Sequence, residues 1–481
     1  MKGFKSIFSI ILAVFFLSGV QSLADTFVVT NLNDPGAGSL RQAINTSNGV
    51  PGPDEIIFQE GLEGTIFLNV GPMSIQDDLT ITGPGADKIT IDADGKSDVF
   101  AVWDFDDEIN RVVEITGLRF INGNAFEDGA IVNYEILTVD SCEFINGNAS
   151  LGGGAIGNRN ILTVNSCLFD SNFAQDGGAI MNYEEASSLS ILNSKFRNNQ
   201  ADFGGAIRNN GTIELITNST FTKNKANVDI DFEGGGAINN LGTIKEISHS
   251  TFHRNISNTF GGAIANLEIG IIQTVSNSTF NGNSAQIGGA IVNSGLINIS
   301  FTTISRNHSD FIGGGISTSF SALGIFRIRN SIIAFNSPFN CSGVANVTDL
   351  LGNWSNKNCG FLGDYSEIIL GPLADNGGPT ETMALLGGDP IDGATNNCDA
   401  LDEMGNPSGI PIGIDQRYFP RPFGVRCDSG AFETSPSDTV DGGDGGGCTL
   451  APAGASNSFP LYLFIPVLLL IRRIVKRLKS Y

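Results

Sequence analysis

The chain has 481 residues, of which 61 are Gly, 5 are Met and 2 are Trp, and it carries 50 acidic against 27 basic residues. That length exceeds one compact core, and the composition is not that of an ordinary globular domain. The acidic balance excludes nucleic acid and anionic lipid as ligands, because both require basic surfaces.

Residues 1–24 read as a secretory signal peptide. Lys2 and Lys5 precede an apolar run over 7–17, and Ser22-Leu23-Ala24 supplies a small-x-small cleavage site. Residues 25–80 read as an N-terminal cap with the first strands. Within it, TFVVTNLNDPGAGSLRQAIN gives a strand, a Pro-Gly turn and Ser39 as N-cap of a short helix.

Residues 81–340 read as a solenoid that opens with the coil ITGPGADKITIDADG. A repeat runs from about 117 to 337. The Gly before Ala-Ile returns at 129, 154, 178, 205, 236, 262 and 289. A second anchor is Phe120, Phe144, Phe169, Phe196, Phe221, Phe252 and Phe280, continued by Ile304 and Ile333. Five places before it stands a β-branched aliphatic, from Ile115 and Val139 to Ile299 and Ile328. Two places before it the residue is small in eight of nine copies, as at Cys142, Cys167, Ser194 and Ser331. Asn follows three places on in seven copies, from Asn172 to Asn336, and four places on at Asn124 and Asn148.

Positions −2 and 0 share one face of a strand, because side chains alternate. Positions −5 and −2 differ by an odd number, so the chain turns a corner between them. Short strands, corners and a Gly-rich turn make one coil of a parallel β-helix, with coils stacked about 4.8 Å apart. Equal phases then form columns: Phe, aliphatic, small residue, and Asn bonded to Asn. A second Asn column runs through Asn133, Asn158, Asn182, Asn209, Asn240, Asn266 and Asn293. A helical solenoid would need 3.6-residue spacing and few Gly, and this region has neither.

The GGAI and FxxN words resemble the repeats of the polymorphic outer-membrane protein family, whose passenger regions are right-handed β-helices. The resemblance implies an all-β, right-handed parallel β-helix. It does not extend to that family's outer-membrane barrel, for which the chain is too short. Residues 341–435 read as a C-terminal Gly/Pro-rich cap. Their words Leu373-Ala374-Asp375-Asn376-Gly377-Gly378-Pro379-Thr380, Asp415-Gln416-Arg417 and Cys427-Asp428-Ser429-Gly430-Ala431-Phe432-Glu433 resemble the choice-of-anchor Q domain of bacterial surface proteins. That resemblance implies surface placement and no catalysis.

A Gly-rich linker (436–458) holds Cys448 in GDGGGCTLAPAG, and an apolar segment with a basic tail (459–481) ends the sequence. Together they resemble bacterial C-terminal sorting signals, with a plain tail anchor as the other reading. The basic residues Arg472, Arg473, Lys476, Arg477 and Lys479 stay cytoplasmic, so the segment is a transmembrane candidate that leaves the body outside. Setting aside signal and tail leaves 20 basic against 50 acidic residues, so the exported body is close to −30.

In an exported chain the cysteines are disulfide candidates. Cys341 and Cys359 close a short loop, and Cys398 and Cys427 bracket another. Cys142 and Cys167 share one column, where either a disulfide or two buried thiols fit. Asp229, Asp231 and Glu233 alternate in the longest coil and are the metal candidates, for Ca²⁺. Asp104, Asp106, Asp107 and Glu108 form a second acidic cluster beside Trp103. His249 and His253 flank Phe252 and are expected on an exposed outer face. No catalytic constellation converges. The leading reading is a monomeric, surface-anchored, non-catalytic scaffold for adhesion or for envelope, host-surface or polysaccharide contact. The alternative is a polysaccharide lyase or glycoside hydrolase with its site in a groove near 226–236.

Overall fold

The computed structural model describes residues 24–106, 108–183, 187–229, 233–318, 324–343, 347–395 and 398–435. The signal peptide up to residue 23, the linker with Cys448, the apolar segment and the basic tail lie outside the described residues. Among the described residues no helix is long and apolar enough to cross a membrane.

A full coil is four short strands. In one of them Ile136–Asp140 lies in sheet I, Glu143–Ile145 in sheet II, Asn148–Ala149 in sheet III and Ile156–Asn158 in sheet IV. Ile161–Asn165 then returns to sheet I. Equal phases pair in parallel, Val139 on Val164, Phe144 on Phe169 and Asn158 on Asn182. About twelve such turns build a right-handed parallel β-helix. Among the described residues sheets I and II have thirteen strands each, sheet IV eleven and sheet III eight. A short helix, Leu40–Ser47, begins where Ser39 accepts the Gln42 N–H at 3.2 Å, and it sends Leu40 and Ile44 into the common core.

The columns are the core. From Phe120 to Phe280 the rings stack 4.6–4.9 Å apart, tilted by 12° or less. Their spacing is set by the coil rise, and each ring fills the gap left by its neighbours. The inner Asn column closes on itself. Asn199 Nδ2 donates to Asn224 Oδ1 at 3.0 Å, and Asn224 Nδ2 to Asn255 Oδ1 at 2.9 Å. Each amide also donates to a carbonyl of the Phe column, as Asn224 does to Phe196 at 3.0 Å. Thus a fully buried polar side chain has its donors and acceptors met. The second Asn column repeats the device at 2.7–2.8 Å.

The first two copies depart from this scheme. Their +3 position is Gly123 or Gly147, so Asn124 and Asn148 turn outward and bond to each other at 3.1 Å. Asn172 instead takes the Gly147 N–H at 2.8 Å.

The corner demanded by odd parity falls at position −3. Ser141, Ser166, Asn193, Asn218, His249, Asn277 and Asn330 stand there with φ between 43° and 54°. Asn tolerates this left-handed conformation better than most residues, which explains its frequency at the corner. In the GGAI word the first Gly takes positive φ, as Gly177 does at 66°. The second has no room for a side chain: a Cβ on Gly178 would lie 2.2 Å from the Gly205 carbonyl oxygen.

Cys341–Cys359 and Cys398–Cys427 are disulfides, whereas Cys142 and Cys167 are free, buried thiols. Of the two readings that fit Cys142 and Cys167, the buried thiols are the one found, and the disulfide candidate falls. In-register neighbours hold their Cβ vectors parallel, while a disulfide needs them to converge. The thiols behave as members of the Ser column. Cys167 Sγ turns to the Asn165 carbonyl at 3.1 Å, as Ser194 Oγ turns to Leu192 at 2.7 Å.

The C-terminal segment differs most from expectation. The helix continues past 340 through Val347–Asp349, Trp354–Ser355 and Gly363–Asp364, all in sheets I and II. Residues 368–433 do not close its end; they lie along its side as an arm over sheet II. Gln416 Oε1 accepts from Thr279 Oγ1 at 2.7 Å, and its Nε2 donates to Thr251 Oγ1 at 2.9 Å. Ala431 N donates to Thr303 Oγ1 at 3.0 Å, and Arg306 donates to the Leu370 carbonyl at 3.0 Å. The reason lies in the outer residues of sheet II. Early coils carry Arg119, Glu143 and Arg197, which remain in water as ion pairs. Later coils carry Thr251, Thr279 and Thr303, small enough to be buried once the arm bonds to them.

His249 and His253 are consequently half-buried beneath this arm rather than exposed. The His249 ring stacks 4.7 Å from Tyr418, and burial pulls its pKa down to about 4. A released His249 titrates near 6.5, so acidification through that value protonates the released state first. Arm docking is therefore fully stabilised by this group above pH 6.5 and loses about 2 kcal/mol of it by about pH 5. Thermal melts should show a fall in Tm over this window that His249→Asn reduces; an identical pH dependence in both proteins contradicts the assignment.

Candidate functional site

The acidic segment near 226–236 does not gather into a single site among the described residues. Asp229 accepts from Asn258 at 2.8 Å, and Glu233 lies 3.3 Å from the Arg208 guanidinium. Asp231 is outside the described residues, within which no three His, Cys, Asp or Glu side chains form a metal-holding group. Beside Trp103, Asp104 is paired with Arg111 at 2.6 Å, and Arg111 also reaches Asp77 at 2.9 Å. Burial raises the Asp104 carboxyl, but Arg111 and the backbone outweigh it and hold it low. Asp107 is outside the described residues.

Two clusters that the repeat does not announce stand on the turns before GGAI. In the first, Asp128 is fully buried, with Arg159 at 2.6 Å, Tyr183 Oη at 3.0 Å and the Gly153 N–H at 2.9 Å. Arg159 also binds Glu127 at 3.1 Å and lies 3.9 Å from the Tyr183 ring centroid. Gly157 makes this possible, since a Cβ there would sit 2.0 Å from the Asp128 carboxyl carbon. In the second, Arg208 bridges Asp176 and Glu233 above the Phe203 ring. Burial raises both aspartates, and the arginines oppose it.

The Asp128 cluster offers no reacting group. Every oxygen of Asp128 is held by a donor, and a general acid or base must reach the proton that it moves. Burial pushes nearby Asp98 up to about 6, with the Asp128 charge adding to the rise. Its neighbour is enclosed, so the two carboxyls cannot flank a glycosidic bond as hydrolysis requires. The clusters are clamps between coils. Their sequence signal is an acid just before the turn glycine and an Arg one coil later, 31 residues on for Asp128 and 32 for Asp176.

Across the turn, the outer face of sheet III holds a shallow, open depression. It is lined by Asn148, Ala149, Ser150, Phe173, Ala174, Gln175 and Asp202. The column rule places Asn148 and Phe173 on one outward phase, and they are register partners. The small inward residues Ala149 and Ala174 let the strands lie flat between them. Phe173 is 46% exposed, and the neighbouring Phe126 is 70% exposed. No motif reading singled out this patch. Its signal is an aromatic at a phase that is polar in most other coils, at Asn124, Asn148, Gln200, Lys225, Ser284 and His308, with Ile256 as the other apolar exception.

No family model matches the chain, and no curated protein matches it. Among solved structures, it is similar to a mutant of the PL6 family alginate lyase AlyGC. The match has 13% identity and a TM-score of 0.43, covering 74% of this chain and 55% of that one. The matched part is thus about half the length of the lyase.

Proposed function

We propose that this protein is an exported, surface-anchored β-helix that binds polysaccharide without cleaving it. The observation that carries this reading is the contrast between two neighbouring surfaces. The buried carboxylates are clamped by arginine, while the sheet III depression presents an open ring and free polar groups. Exposed aromatic side chains with a few convergent polar groups are the usual equipment of a ligand site. The signal peptide, the choice-of-anchor words and the basic tail support export and anchoring. Residues 368–433 then act as a brace between the helix and the segment leading to the anchor.

The test pairs binding with turnover. Purified protein is incubated with acidic and neutral polysaccharides, with and without Ca²⁺. Bound polymer is measured by co-sedimentation, and cleavage by new reducing ends and unsaturated products. Retention without cleavage is expected. Sustained cleavage would replace this reading with the enzyme alternative, and absence of any retention would remove polysaccharide altogether.

A further inference from the structure

We infer that the sheet III depression takes an uncharged glycan rather than a uronate or sulfated one; this rests on the polysaccharide reading above. The lining contains no Lys or Arg, and its one ionisable group is Asp202. The two arginines on the adjacent turns are already committed, Arg159 to Asp128 and Glu127 and Arg208 to Asp176 and Glu233. An anionic sugar entering here would meet the Asp202 carboxylate inside the lining, while the nearest cation on this outward phase, Lys225, stands one coil beyond it as the register partner of Gln200, on a body already close to −30.

The available groups suit hydroxyls instead. Among the described residues Ser150, Gln175 and Asp202 have no side-chain hydrogen-bond partner. Asn148 spends its amide donor on Asn124, which leaves its oxygen facing out as an acceptor. Sugar hydroxyls donate to Asp202 and to the Asn148 oxygen, while Gln175 and Ser150 take either role. The C–H face of a sugar ring lies against Phe173, where apolar area is buried without burying charge. Successive coils repeat along the axis at about 4.8 Å. A linear chain laid along sheet III therefore meets Asn148, Phe173 and the Gln175–Asp202 side of the depression in turn.

The experiment uses the intact protein and calorimetric titration with two sets of hexasaccharides. One set is neutral (gluco-, xylo- and manno-oligomers) and the other consists of uronates. Binding of a neutral oligomer, unaffected by salt, is expected. Phe173→Ala should weaken it about tenfold or more, and Asp202→Asn should weaken or preserve it but not strengthen it. Both side chains are on the surface, so unchanged melting temperatures certify that the variants are folded. Preferential, salt-sensitive uronate binding that Asp202→Asn strengthens would overturn the uncharged class while leaving the polysaccharide reading in place. No binding in either set overturns both. Neutral binding indifferent to Phe173→Ala overturns the location.

Discussion

Replacing Asn224 by Ala is expected to destabilise the helix by about 4 kcal/mol. The Asn224 oxygen accepts the Asn199 N–H at 3.1 Å and its Nδ2 at 3.0 Å. Its amide donates to the Phe196 carbonyl and to Asn255 Oδ1. Truncation removes the partners of the Asn199 N–H, of one Asn199 amide hydrogen and of the Phe196 carbonyl in a region with no solvent contact, each costing about 1–3 kcal/mol before relaxation, while Asn255 Oδ1 keeps the Asn224 backbone N–H. The neighbouring Phe221→Ala loses stacking on both sides and costs about 3–5 kcal/mol by a different route, cavity formation. Asn218→Ala, in the outer corner column, is the control. Its amide is not in the buried ladder, but the residue holds φ 53° and accepts the Tyr418 hydroxyl, so a smaller loss of about 1 kcal/mol is expected. Denaturant titration combined with hydrogen exchange reads the result. Because a solenoid is stabilised between neighbours, protection should fall first in the coils around 196–255. Equal effects of Asn224→Ala and Asn218→Ala would refute the buried ladder as a stabilising element.

Arg421→Ala is expected to detach the arm while leaving the helix folded. Arg421 is buried against the Phe301 ring, 4.6 Å from its centroid, and pairs with Glu433 at 3.1 Å. It also donates to the carbonyls of Asp428 and Gly430, both at 2.7 Å. Removing it strands Glu433 as a buried carboxylate, and breaking such a pair costs about 3–5 kcal/mol. Burial pushes Glu433 up to about 7 against the pull of Arg421, so the truncated protein regains part of the loss by protonation as pH falls. Trp354 reports the event directly, because its indole N–H donates to Gly393 and to Ser429 of the arm. Red-shifted Trp354 emission and proteolysis within 368–433, with unchanged β-sheet circular dichroism, are the expected readouts. Loss of the whole β signal at the same midpoint would instead make the arm inseparable from the helix. The words Asp415-Gln416-Arg417 and Cys427 to Glu433 thus acquire a physical role, since they build the ionic knot and the Gln416 contacts that fasten the arm.

Much of the fold was legible because a parallel, in-register solenoid turns sequence phase into vertical position. The Phe column, the aliphatic column and both Asn ladders could be read off without coordinates. Odd parity between −5 and −2 demanded a corner, and the left-handed residue stands between them. The same logic misled at Asn124 and Asn148, where Gly occupies the ladder phase and the Asn one place later faces outward. It also left Cys142 and Cys167 open, since phase gives proximity but not the direction of Cβ. The candidate site was barely legible. Phe173 is one aromatic at a mostly polar phase, and the depression exists only because Asn148, Gln175 and Asp202 from three coils meet around it.

The sequence by itself determined the coil, its corners and its columns, because each is a local pattern repeated until stacking is the only consistent solution. The tertiary structure alone decided which contacts form off that period. It laid 368–433 along sheet II rather than over the end, and it locked Asp128 to Arg159 and Asp176 to Arg208. Such contacts join residues far apart in the chain once each, so they depend on shape and on which polar groups still need partners. No repetition announces them.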